Sequence, residues 1–249
     1  VYRGDPADRA GALATHVDAV AGISLLRPSA LNASLFETVL VAAVMMTPLV
    51  VGPFYLSRSL GLDAAEAGVA LSIGPLVAVL AGWPAGRLVD RFGAPAMTLA
   101  GLIGLAAGAS MVGVVSVTSG VAGYVAPIAG MTASYALFQA ANNTFLMTTA
   151  GPRHRGAIAG MLGLRRNVGL IAGAWAMGIV FAWAVGTGDA ATANPDVVAA
   201  GVRVTFRVSA GLIAAGIAVV ASARASTRRS ASSDHSLHHA RALTHSQGR

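Results

Sequence analysis

Residues 92–152 read FGAPAMTLAGLIGLAAGASMVGVVSVTSGVAGYVAPIAGMTASYALFQAANNTFLMTTAGP and contain no Asp, Glu, Lys or Arg. A transmembrane helix needs about 20 mostly apolar residues to cross a hydrocarbon core of roughly 30 Å. The segment is long enough for two such helices. We therefore predict two adjacent membrane spans, joined by a tight turn near Ser116 to Gly120.

The composition of the whole chain points the same way. Hydrophobic residues make up 55% of its 249 residues and charged residues 11%, with a mean hydropathy of +0.67, whereas a soluble domain is about a quarter charged. The chain has no cysteine, which excludes a disulfide framework and a cysteine-based metal site. It opens at Val1 without the pattern of a signal peptide. We expect it to be part of a longer polypeptide.

Further apolar runs on both sides of this segment predict a bundle of about six transmembrane helices, an all-α membrane protein. Helices are favoured over a β-barrel because the runs are continuous rather than alternating. Glycines spaced four residues apart favour close helix packing, and they occur at Gly82/Gly86, Gly104/Gly108, Gly156/Gly160 and Gly169/Gly173. The spans are predicted at about 34–57, 67–86, 94–115, 121–148, 157–185 and 202–223, between a cytoplasmic linker at 1–33 and a disordered cytoplasmic tail at 224–249.

The distribution of arginine predicts the orientation of the bundle, because cytoplasmic loops retain an excess of positive charge. With an even number of spans, both termini lie on one side. That side would hold Arg3, Arg9, Arg27, Arg87, Arg91, Arg153, Arg155, Arg224, Arg228, Arg229, Arg241 and Arg249, against Arg58, Arg203 and Arg207 opposite. We expect a multi-pass protein of the bacterial inner (cytoplasmic) membrane with both termini in the cytoplasm.

A charged motif separates the second and third predicted spans, with the sequence Gly86-Arg87-Leu88-Val89-Asp90-Arg91-Phe92-Gly93. It resembles the G-x-L-x-D-R-x-G loop of major facilitator superfamily transporters. We expect Gly86 to permit close packing at a helix end, and Asp90 to lie at the N-terminus of the following helix, where the dipole favours an anion. The resemblance implies a conformational latch on the cytoplasmic side that includes Gly86, Asp90, Arg91 and Gly93. Ala94 to Ala96 replace the usual basic pair, so a weaker latch is expected; an ordinary charged turn is the alternative.

Three further stretches resemble the same superfamily, especially its drug:proton antiporter branches. They are residues 60–68, 155–173 and 201–206, and their order and spacing agree with the family. The resemblance implies that the chain is the C-terminal six-helix half of a transporter with twelve or fourteen spans. It also implies that a missing N-terminal half, or a second copy of the chain, completes the transporter.

Ionisable groups within the predicted spans are functional candidates, because charge is costly in the membrane interior. Glu37 is the one acidic residue within a predicted span. It is either a proton-coupling carboxylate or an acid that the start of a helix stabilises. Arg165 and Arg166 lie in the fifth span, and adjacent helix positions point about 100° apart, so one of them at most faces a central cavity squarely. We choose Arg166, either as a structural anchor or as a substrate contact.

Uncharged polar residues are densest in the fourth predicted span. Tyr135, Gln139 and one of Asn142 and Asn143 recur at helical spacing and form one stripe. An amide in hydrocarbon lacks hydrogen-bond partners, so the stripe faces protein or a cavity. Lining of a substrate cavity and hydrogen bonding between helices are both consistent with it. Apolar cavity wall is expected from Met45, Met46, Trp83 and Phe138, unless these residues serve only in packing.

These features predict a secondary active transporter that exports drug-like or amphipathic small molecules in exchange for protons, with this chain as one half. The alternatives are a transporter of the same family for another solute, such as a metabolite or sugar, and a non-transporting membrane scaffold. An enzyme is not expected, because no cluster of His, Asp and Glu recurs at helical spacing within the spans. The expected partners are the substrate, protons and the lipid bilayer; no cofactor, metal or nucleic acid is expected.

Overall fold

The computed structural model describes residues 28–114, 117–149, 151–186 and 190–218. Within these residues every regular element is helical, and six helices are long and apolar enough to cross a membrane. This confirms the all-α membrane bundle predicted from the sequence. The spans are Ser34–Ser59, Ala64–Phe92, Ala94–Val114, Val117–Thr148, Arg155–Val185 and Pro195–Ala218.

The segments predicted to flank the bundle are described only in small part. Residues 1–27 of the expected linker and the whole expected tail at 224–249 lie outside the described residues. Residues 28–33, the end of the expected linker, form the start of the first helix.

The first span consists of two helices that meet at Met46. Helix α1 (Pro28–Met45) and helix α2 (Thr47–Phe54) are separated at this residue. Pro48 lies in the first turn of α2, where its missing N–H costs nothing but prevents a continuous hydrogen-bond ladder from α1. After α2 the chain continues as a π-helical turn, Tyr55–Ser59. The first span is therefore irregular along its second half.

Helix α3 (Ala64–Phe92) begins at a capping box. The Asp63 side chain accepts from the Glu66 N–H at 2.8 Å, and the Glu66 carboxylate accepts from the Asp63 N–H at 3.1 Å. The helix ends at Gly93, whose φ of +85° suits glycine and whose N–H bonds to the Val89 carbonyl at 2.8 Å. Helix α4 (Ala94–Val114) follows directly.

The remaining spans are helix α5 (Gly120–Thr149), helix α6 (Gly151–Val185) and helix α7 (Pro195–Ala218). Both α3 and α4 pack along α5, whereas α1 packs along α6. The bundle thus contains two packed groups, one of α3, α4 and α5 and the other of α1 and α6. The two groups meet where the first span lies next to α5.

Glycines allow the closest of these contacts. A Cβ on Gly101 of α4 would lie 2.8 Å from the backbone nitrogen of Phe138 on α5, and Cβ atoms on Gly104 and Gly108 would also collide with α5. On α6, Cβ atoms at Gly169 and Gly173 would overlap the backbone of α1. Two of the four predicted glycine pairs therefore lie at close helix contacts. At Gly82/Gly86 and Gly156/Gly160, added Cβ atoms would meet no described atom within 4 Å.

Helix α7 is held to the bundle by polar contacts, which are buried at Thr47 and Ser209 and more exposed at Arg207. The hydroxyls of Thr47 and Ser209 lie 2.8 Å apart, and Ser209 also donates to the Met177 sulfur at 3.4 Å. At one end, Arg207 Nε donates to the Gly113 carbonyl at 2.9 Å. Because a polar group that leaves water needs a partner, these bonds fix α7 against α2, α4 and α6.

Candidate functional site

A cavity of about 290 Å³ opens between the first span, α3, α5 and α6. It forms where regular packing is interrupted: α1 and α2 separate at Met46, and α3 contributes Gly74 and Pro75. A break and small side chains leave space that long apolar side chains would otherwise fill. The wall consists of Met45, Met46, Pro48, Leu49, Ala70, Leu71, Ile73, Gly74, Pro75, Ala78, Tyr124, Val125, Ile128, Thr132, Tyr135, Arg166 and Leu170.

Three predicted site residues converge at this cavity. The Tyr135 hydroxyl accepts a hydrogen bond from Gln139 Nε2 at 3.0 Å and another from Arg166 Nε at 3.1 Å. Tyr135 and Gln139 are one turn apart on α5, and Arg166 reaches them from α6. Tyr135 and Arg166 line the cavity, while Gln139 is not among the lining residues and reaches it only through its bond to Tyr135. Arg165 is not among the lining residues, in agreement with the roughly 100° between adjacent helix positions.

The two adjacent asparagines of α5 lie in different environments. Asn142 is 1% exposed; its Nδ2 donates to Thr38 Oγ1 at 2.8 Å, and its Oδ1 accepts from the Ser34 hydroxyl. Asn143 is exposed on the bundle surface. Neither residue lines the cavity. Asn142 therefore bonds α5 to α1, which is the interhelical role that the sequence left open.

Glu37 is buried, with 3% of its surface exposed. It lies on the same turn of α1 as Ser34 and Thr38, beside the Asn142 contact. It does not line the cavity. Met45, the nearest lining residue on this helix, is eight positions further on, which is about 12 Å along the axis.

The charged motif forms the last turns of α3 and the turn into α4. Asp90 lies in the last turn of α3, not at the N-terminus of the following helix as expected, because α3 continues until Gly93 supplies the positive φ that ends it. The Arg87 guanidinium lies 3.7 Å from the centre of the Trp83 ring, and that of Arg91 lies 5.3 Å from the Phe92 ring. Asp90 and both arginines are exposed in the described part of the chain.

The four residues expected to form apolar wall divide into two sets. Met45 and Met46 line the cavity. Phe138 is 1% exposed and packs where α4 approaches α5, and Trp83 is 66% exposed on α3.

Sequence reasoning missed part of the α5 wall. Tyr124, Ile128 and Thr132 precede Tyr135 by eleven, seven and three positions, and all of them line the cavity. Those offsets are helical spacings, so the polar stripe could have been extended backwards from Tyr135. The α3 wall gave no comparable signal, because Ala70, Gly74 and Ala78 are ordinary packing residues in a membrane helix.

Comparison with known proteins adds independent information. The family model described as Major Facilitator Superfamily matches residues 5–174, more than half of the chain. The protein named "Uncharacterized transporter YebQ" of Escherichia coli (strain K12) is 30% identical over 152 residues, which cover 61% of this chain and 33% of that protein. The chain thus spans about a third of the length of this curated relative.

Proposed function

Because the chain belongs to the major facilitator superfamily, we propose that it supplies six spans of a secondary active transporter that exports drug-like or amphipathic small molecules in exchange for protons. The observation that supports this most is the cavity beside Tyr135 and Arg166. Small-molecule sites are concave and mostly apolar, with a few polar groups that orient the ligand. This cavity has that composition and lies among four helices of the bundle.

The exposed faces of α3 and α6 support a second half as partner. Only 6% of the most apolar stretch of α3 is buried within the bundle. Large apolar side chains are exposed along both helices, including Leu76, Val79 and Trp83 on α3 and Ile171, Trp175 and Trp183 on α6. Lipid or another bundle has to cover such surfaces. A second bundle would close the cavity and allow the two halves to rock around it; it is either an N-terminal half or a second copy.

The orientation is proposed with both termini in the cytoplasm of a bacterial cell and the bundle in its inner membrane. Arg87 and Arg91 lie at the α3–α4 connection. Because cytoplasmic loops carry an excess of positive charge, this supports a cytoplasmic position for that connection. At the other end of the bundle, Arg58 Nη2 donates to the Ala193 carbonyl at 3.2 Å, and Arg207 is bonded to Gly113. Arg58 and Arg207 at that end thus donate to backbone carbonyls of neighbouring segments.

The motif at the end of α3 is proposed to act as a latch against the second half. Asp90 and Arg91 are exposed, and neither side chain forms a hydrogen bond or ion pair with the described residues. Charged groups at a helix end gain from an opposite charge or a helix terminus of a neighbouring bundle. Gly93 ends α3 through its positive φ, whereas Gly86 lies within α3, where an added Cβ would meet no described atom within 4 Å.

Transport by the full-length protein tests this function. Everted membrane vesicles should accumulate a panel of amphipathic dyes when a proton gradient is imposed, and addition of a transported dye should dissipate that gradient. Accumulation of sugars or small metabolites instead would identify another solute class. If no solute changes the proton flux, the protein is not a proton-coupled transporter, and a scaffold role replaces this proposal.

A further inference from the structure

The charge of the cavity wall is unbalanced. Arg166 is the one charged residue among those that line the cavity in the described part of the chain, and the wall there contains no Asp or Glu. Arginine stays protonated in proteins. A cation within a membrane protein is costly unless an opposite charge or polar groups stabilise it. The wall therefore favours a ligand that brings a negative charge.

Arg166 and Tyr135 have hydrogen-bond donors left over at the cavity, whereas the lining hydroxyls of Tyr124 and Thr132 already donate to the Pro48 and Ile128 carbonyls. Arg166 uses Nε to donate to Tyr135, and no described residue accepts from its two terminal amino groups. Tyr135 already accepts from Gln139 and Arg166 through one oxygen, so its own hydroxyl proton is available to donate. A guanidinium fork and a phenolic O–H match the oxygens of a carboxylate, sulfonate or phosphate.

The acidic residues in the described part of the chain lie away from the cavity wall. Asp63 and Glu66 cap the start of α3, and Asp90 follows the lining residue Ala78 by twelve positions, about 18 Å along the helix. Glu37 is buried on α1 beside the contacts of Ser34 and Thr38 with Asn142. Asp196, at the start of α7, is exposed. None of these acids lines the cavity, so Arg166, whose side chain is exposed, is the charge that a ligand there would meet.

The remainder of the wall suits an apolar body. Met45, Met46, Leu71, Ile128 and Leu170 surround the space, and the flexible thioethers adapt to varied shapes. We propose that this site selects anionic amphipathic molecules, with an oxyanion group held by Arg166 and Tyr135 and an apolar body against the α1, α3 and α5 wall. This rests on the proposed function for transport but concerns the charge of the ligand that binds.

The test compares two xanthene dyes of similar size and opposite charge, fluorescein as the anion and tetramethylrhodamine methyl ester as the cation. Binding to the purified full-length protein is measured by fluorescence anisotropy. The anion should bind about tenfold tighter or more, because a hydrogen bond to a charged group is among the stronger ones. Arg166→Gln should remove most of this preference, and Arg166→Lys should retain part of it. Arg165→Gln is the matched control, because Arg165 does not line the cavity, and it should bind like the wild type.

The outcomes separate the ligand charge from transport. Equal or tighter binding of the cation, binding of neither dye, or the same loss in Arg165→Gln as in Arg166→Gln would overturn the anionic selectivity, even where proton-driven transport occurs. Arg166-dependent binding of fluorescein without proton-driven movement would support the selectivity and reject the transport function. If Arg166→Gln does not fold, the wild-type preference and the Arg166→Lys variant still decide the question.

Discussion

Asn142 on α5 is hydrogen-bonded to Thr38 on α1, with 2.8 Å between Asn142 Nδ2 and Thr38 Oγ1. The Asn142 carbonyl oxygen accepts from Ser34 of the same α1 face. The side-chain amide of Asn142 on α5 thus uses both its donor group and its acceptor oxygen in contacts with α1. Within a membrane the hydrophobic effect does not drive helices together, so polar contacts of this kind help to hold them in place.

Replacement of Asn142 by Ala should destabilise the bundle by about 1–3 kcal/mol, because it removes two hydrogen bonds and leaves buried hydroxyls of Ser34 and Thr38 with fewer partners. The apparent melting temperature of the detergent-purified protein measures this. Asn143→Ala is the matched control, since Asn143 is exposed, and a change within about 0.5 kcal/mol is expected. Equal effects of both variants would contradict the assigned contact.

Removal of the Tyr135 hydroxyl should weaken ligand binding without unfolding the protein. Tyr135→Phe keeps the ring but removes the oxygen that holds Arg166 Nε and Gln139 Nε2. The Arg166 side chain then gains rotamer freedom, and affinity should fall by about three- to tenfold. Fluorescein binding, by fluorescence anisotropy, and the melting temperature are measured on the same preparation of purified full-length protein.

Tyr55→Phe provides the control for that variant. The Tyr55 hydroxyl is buried and has no hydrogen-bond partner among the described residues, and Tyr55 does not line the cavity. Its loss should leave binding unchanged and stability equal or slightly higher, because an unpaired polar group is removed. A fall in affinity of the same size in Tyr55→Phe would indicate a general packing effect rather than a role of the Tyr135–Arg166 contact.

A side chain at Gly173 should not be tolerated, because α6 approaches α1 closely at this position. A Cβ at this position would overlap the backbone of Ala43, and backbone atoms do not move aside as a flexible side chain does. Gly173→Ala should therefore lower the yield of folded protein and its melting temperature, as measured by size-exclusion chromatography after heating. Gly160→Ala on the same helix meets no described atom within 4 Å, and it should behave like the wild type. Full tolerance of Gly173→Ala would show that the two helices lie further apart.

The helical architecture was accessible from sequence because hydropathy alone reports which segments require lipid. The ends of the helices were predicted less well from the sequence. The second span was predicted at 67–86, whereas α3 runs from Ala64 to Phe92. Hydropathy marks the hydrocarbon core, and Arg87, Asp90 and Arg91 continue the same helix beyond it until Gly93 ends it.

The candidate site could be predicted from the sequence only in part. Helical spacing brought Tyr135 and Gln139 onto one stripe, but it could not decide which of Asn142 and Asn143 faces protein, since that depends on how α5 is rotated against α1. The contact between Tyr135 and Arg166 joins two helices across 31 positions of sequence. Such a contact follows from the packing of whole helices, and no local pattern encodes it.

Glu37 is the residue through which proton coupling can be tested most directly. It is buried on α1 beside the Asn142 contact, and a carboxyl in such a position changes charge when it takes up a proton, whereas an amide does not. We expect Glu37→Gln to bind substrate with unchanged affinity but to lose most of the acceleration that a proton gradient gives to transport by the full-length protein. Dye accumulation in vesicles, with and without a gradient, measures this.

Glu66→Gln is the matched substitution for that test, because Glu66 caps α3 at the end of the bundle and glutamine serves the same capping role. It should retain both binding and gradient-driven transport. If Glu37→Gln transports with the same response to the gradient as the wild type, Glu37 has no part in coupling. The proton-exchanging carboxylate of the proposed transporter would then be expected in the proposed second half, since the other described acids, Asp63, Glu66, Asp90 and Asp196, are all exposed.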